Sequence, residues 1–90
     1  MKKRELYRHL VDAASRIGIR VAEQNLKATG VNAKSGLCRV KGENVYIMDK
    51  KLPDSEKARL LARCLRNQPT DDIYIIPAVR EFLDNNGGRP

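Results

Sequence analysis

The side chains best suited to chemistry are few and scattered. His9 is the single histidine, and Cys38 and Cys64 are the two cysteines. A Cys–His nucleophile needs its two side chains within hydrogen-bond reach, and nothing in the sequence marks either thiol as the partner of His9. One histidine and two separated thiols also fall short of the closed ligand set of a structural zinc site. The carboxylates Asp49, Asp54 and Glu56 gather where a helix is expected to begin, which favours the helix dipole. Asp71 and Asp72 precede a break and read as turn residues. Neither group sets two acids in the opposed environments that acid–base work requires. Gly87-Gly88 is followed by no helix, so a phosphate loop is absent from the pattern. The sequence therefore predicts no catalytic residue, no metal and no cofactor.

Positive charge is the other chemistry on offer. The chain carries a net +7, and sixteen of its eighteen Lys and Arg fall within residues 1–70. Arg59, Arg63 and Arg66 recur at spacings of four and three, a basic ridge along one helix, with Lys50 and Lys51 just before it. Such a ridge suits a polyanion or an acidic partner surface. Phosphate contacts position a nucleic acid, but base readout needs more than charge, and the expected sheet contains a single aromatic, Tyr46.

These residues must be positioned by a small core. Ninety residues make one domain, and 41% hydrophobic content supports a helix–sheet core built on Leu, Ile and Val. Leu6, Leu10, Ala13, Ala14 and Ile17 recur every three or four positions, predicting a helix from residue 3 to about 16 that stops at Gly18. Ile19 to Glu23 alternates apolar and polar; continuing the helix to Leu26 is the competing reading, and β-branched Ile19 and Val21 favour a strand. Asn25 to Ser35 is expected to be a surface loop.

The stretch from Ser35 to Asn67 organises the rest. Two short apolar runs flank a charged turn at Gly42, predicting a β-hairpin. From Pro53 to about Asn67 a helix is expected to bury Ala58, Leu61, Ala62 and Leu65, with Lys57, Arg59, Arg63 and Arg66 projecting away. After a break at residues 68–71 and a short extended piece at 72–76, Pro77 opens a last helix held by Val79, Phe82 and Leu83. The expected fold is α+β, ordered α-β-β-β-α-α, with a three-stranded antiparallel sheet against the helices. Residues 1–84 form the domain and 85–90 a flexible tail.

The motifs Gly18-Ile19-x-Val21, Gly36-Leu37-x-x-Val40-x-Gly42-x-x-x-x-Ile47, Asp49-x-x-Leu52 and Leu61-Ala62-x-x-Leu65 occur in that order. Over residues 18–67 the chain thus resembles the core of the ImmA/IrrE family of zinc-dependent metallopeptidases, whose helix carries His-Glu-x-x-His. The resemblance sets the first zinc-ligand histidine at Arg63, the catalytic glutamate at Cys64 and the second histidine at Asn67. Arg is no zinc ligand, and a thiol cannot replace the carboxylate base. The resemblance then implies a peptidase-like scaffold without its catalyst.

The function expected from the sequence is a small cytoplasmic, non-catalytic interaction module that binds a protein partner, a copy of itself included. The alternative is a nucleic-acid-associated protein using its basic faces. With no apolar run long enough to span a bilayer, no membrane role is expected.

Overall fold

A computed structural model describes residues 1–26 and 35–86. The first helix, α1 (Lys3–Arg16), buries Leu6, Tyr7, Leu10, Ala13 and Ala14. It ends where expected: Gly18 takes φ +86°, a left-handed conformation that a side chain would strain. Strand β1 (Ile19–Gln24) follows directly.

The hairpin comprises β2 (Gly36–Val40) and β3 (Glu43–Asp49). Its two-residue turn puts Lys41 at φ 51° and Gly42 at φ 79°, the pair of positive φ angles that matches the twist of the flanking strands. The Asp49 backbone N–H donates to the Ser35 hydroxyl at 3.0 Å and closes the hairpin's open end. Helix α2 (Asp54–Arg66) starts beyond Pro53, whose carbonyl accepts from the Glu56 and Lys57 N–H groups at 3.0 Å each. Helix α3 runs Pro77–Asn86. Residues 72–76 form no strand, though Ile73, Ile75 and Ile76 pack against the core. The expected loop lies mostly, and the expected tail mostly, outside the described residues; Asn85 and Asn86 belong to α3.

One expectation is overturned. The sheet is mixed, not antiparallel: its order is β1-β3-β2, with β2 and β3 antiparallel but β1 and β3 parallel, Ile19 opposite Asn44 and Val21 opposite Tyr46. The composition of β3 explains this arrangement. Val45, Tyr46, Ile47 and Met48 are consecutive apolar residues, so this strand gains by covering both faces, and the central position provides that. The more polar β1 and β2 take the edges.

The helices cover one face of the sheet. Ile19, Tyr46 and Met48 join Leu10, Ala14, Ala58, Leu61, Ala62, Leu65, Val79 and Leu83 in a single buried cluster. The opposite face carries Val45, itself buried, together with Ile47 and Ala22, and the Arg20–Glu43 ion pair at 3.1 Å.

A second expectation fails at Lys57. It does not project into solvent but is only 8% exposed. Four residues before Leu61, it lies on the apolar stripe, where its methylene stem packs and its ammonium reaches the edge of the core. There Nζ donates to Glu23 Oε1 at 3.0 Å and lies 5.6 Å from the centre of the Tyr7 ring. Tyr7 donates its hydroxyl to Glu23 Oε2 at 2.7 Å. The three residues tie α1, β1 and α2 together.

Candidate functional site

Among the described residues strand β2 pairs with β3 alone, so its other edge has no described partner for its backbone donors and acceptors. Two of its side chains, Leu37 and Val40, are each 43% exposed, unusual for large apolar residues in this protein. Register puts Leu37 beside Tyr46 on the helix-covered face, with Arg39 two positions on; Cys38 and Val40 lie on the other face. Between β2 and α2 runs an open groove of about 390 Å³. Leu37, Tyr46, Leu60 and Cys64 form its apolar walls, and Arg63 and Asn67 stand at its rim.

The groove is built from the α2 periodicity. Leu61 and Leu65 point into the core, which leaves Leu60 and Cys64, on the flank of the stripe, facing β2. Burial pushes the Cys64 thiol above its ordinary pKa and so favours its neutral, apolar form. Burial likewise raises the Tyr46 phenol. Asn67 donates from Nδ2 to the Arg63 carbonyl at 3.3 Å, which satisfies a carbonyl of the last helical turn. Arg63 and Arg39 have no ion-pair partner among the described residues.

The expected basic ridge is dispersed by its neighbours. Arg59 is paired with Glu56, and Arg66 with Asp84 at 3.2 Å, leaving Arg63 as the unbalanced member. The Arg59 pairing also holds the Glu56 carboxyl below its usual pKa. Lys50 and Lys51 are exposed in the turn before α2. The rise of that helix sets its two ends about 18 Å apart, so these lysines and Arg66 do not share a patch. Their backbones serve the fold: Lys50 N–H donates to the Gln24 carbonyl and Lys51 N–H to Asp49 Oδ1, both at 3.0 Å.

His9 is exposed on α1 and lines a different groove, of about 500 Å³, against residues 74–76; neither cysteine borders it. Cys38 and Cys64 are free thiols on opposite sides of the sheet. Among the described residues no three His, Cys, Asp or Glu side chains gather as a metal site would require. The positions that the metallopeptidase resemblance singles out, Arg63, Cys64 and Asn67, do lie together on the β2 groove.

Sequence reasoning singled out neither the β2 edge nor the Tyr7–Glu23–Lys57 cluster. The signal for the first was present: Leu37 and Val40 lie on opposite faces of one short strand, so a single sheet of three cannot bury both well. For the second, the position of Lys57 on the apolar stripe was the clue. No protein-family model, no curated protein and no solved structure matches this chain. No helix of the described residues is long and apolar enough to cross a membrane.

Proposed function

We propose that the chain is a small, non-catalytic interaction module that captures an extended segment of a protein partner along β2. The edge of that strand, with Leu37 exposed at the α2 groove and Val40 exposed on the opposite face, carries this reading. An incoming strand gains affinity from main-chain hydrogen bonds, and the groove supplies a pocket for alternate side chains. The residues along the groove fit binding without turnover: a neutral thiol, an amide committed to the helix end and an arginine. In the setting of the metallopeptidase resemblance, this is a peptidase-like scaffold without the zinc motif. Two free thiols, one of them exposed, suit a reducing cytoplasm.

A decisive experiment is capture of partners on immobilised protein, with nuclease present, using the wild type and a Leu37→Glu/Val40→Glu variant. A partner retained only by the wild type, and protecting β2 amides from hydrogen exchange, supports the reading. Protection confined to other elements would overturn it. The competing nucleic-acid reading draws on the net +7 charge. It requires binding that falls steeply as salt rises, because phosphate contacts release counterions.

A further inference from the structure

We infer that the segment captured along β2 is acidic, with an apolar residue set over Leu37 and a carboxylate two positions away. This rests on the edge-docking reading above and adds the chemistry of the ligand. The first support is charge balance. Among the described ion pairs, Asp12, Glu23, Glu43, Glu56 and Asp84 are each matched to a base. Arg39 and Arg63, like several other exposed bases, are not matched, and these two border the docking surface, Arg39 on the groove side of β2 and Arg63 on the rim of α2. A guanidinium there binds a carboxylate through charge-assisted, often bidentate bonds.

The second support is spacing. Side chains on one face of a strand recur every second residue, about 6.6–6.8 Å apart. Leu37 and Arg39 share that face at that interval. An added strand follows the same pleat, so a ligand residue over Leu37 and Leu60 is apolar, and its neighbour two positions on meets Arg39. Ligand residues between them face outward beside Cys38 and Val40.

The same features disfavour other occupants. Residues 35–42 contain no acid, so two copies pairing through β2 would bring together only like charges, each chain already carrying +7. Single-stranded nucleic acid stacks its bases on exposed aromatic rings, and Tyr46, the one aromatic of the sheet, is buried. Arg59 and Arg66, which would extend a phosphate track, hold Glu56 and Asp84 instead.

The test is an amide-resolved NMR titration of isotope-labelled protein with three peptides of about ten residues, a length that spans an edge strand. They share an apolar residue at one position and carry Glu, Gln or Lys two positions on, so that both side chains fall on one face of the added strand. The Glu peptide should bind about tenfold more tightly than the Gln peptide, with the Lys peptide weakest. Shifts should map to β2 and residues 60–67. An Arg39→Glu/Arg63→Glu variant, whose changes lie on exposed residues and whose fold is checked by urea melt, should prefer the Lys peptide. Equal binding of all three peptides at β2 overturns the acidic assignment and leaves the edge reading intact. Absence of binding, or shifts confined to other elements, overturns both. Dimerisation through β2 without peptide reassigns the edge to a second copy and overturns the inference. Stronger perturbation of the same residues by a single-stranded oligonucleotide reassigns it to nucleic acid, with the same consequence.

Discussion

The Lys57–Glu23 pair gives an unequal response to removing its two members. Replacing Glu23 with Ala strips the ammonium of its carboxylate and the Tyr7 hydroxyl of its acceptor. Lys57 has a side chain only 10% exposed, so little water can compensate there. Breaking a fully buried pair from one side costs about 3–5 kcal/mol. The Glu23 side chain is 37% exposed, however, and solvent screening reduces that figure. About 1.5–3 kcal/mol is expected for Glu23→Ala. Lys57→Met keeps the length and apolar body of the side chain, removes the buried charge, and leaves Glu23 facing partly into water with Tyr7 still bonded. Its cost at pH 7 should be about 0–1 kcal/mol. Acid sharpens the contrast. Burial pushes the Glu23 carboxyl up, but hydrogen bonds from Tyr7 and Lys57 outweigh this and hold it below its ordinary value. A lowered folded pKa contributes stability that is complete above the unfolded value, about 4.3, and is lost as pH falls through the folded one. Over that window wild type keeps a buried ammonium facing a neutral acid, so Lys57→Met should turn from neutral to stabilising. Urea melts across pH 7 to 3 measure both variants. If Lys57→Met costs as much as Glu23→Ala at pH 7, or falls further behind wild type in acid, the cluster is not an electrostatic one.

Other perturbations test the rest of the frame. Leu61→Ala, at a fully buried position in the α2 stripe, should cost about 2–5 kcal/mol, whereas exposed Arg63→Ala should cost under about 0.5 kcal/mol in the same melt. Gly42→Ala forces a side chain into φ 79° and should destabilise the hairpin by about 1 kcal/mol, visible as a lower denaturation midpoint. Changing Arg59, Arg63 and Arg66 together to Gln should leave the salt dependence of any polyanion binding nearly unchanged, measured as the slope of log K against log salt. A fall of about 2–3 in that slope would establish the ridge as a phosphate track.

Local pattern made most of the elements legible. The α1 stripe, Gly18 as its stop, the Gly42 turn, the α2 stripe and Pro77 as the head of α3 each depend on neighbours within a few residues. The direction of β1 against β3 does not. It is decided by which strand best covers both faces, and four apolar residues in a row at 45–48 signalled a central strand without naming its neighbours. Lys57 was misplaced because its partner Glu23 lies on another element. The ridge looked uniform for the same reason: the link between Arg59 and Glu56 is local, but that between Arg66 and Asp84 bridges two helices.

Seating β3, the second strand of the hairpin, between β1 and β2 has a consequence for how the molecule opens. The β2–β3 ladder closes across two turn residues, whereas Ile19 must find Asn44 over a long excursion of chain. Hairpins of this kind form in about 1–10 μs, and the longer closure carries the larger entropic debt. The antiparallel half and α2 can therefore persist while β1 releases its side of β3, a partial unfolding in which the central strand becomes a temporary border. Amide exchange should then record two populations on β3. N–H groups bonded to β1 should exchange through this lesser opening, and those bonded to β2 only when the whole domain melts. Such a split would make one strand the boundary between two cooperative units within ninety residues.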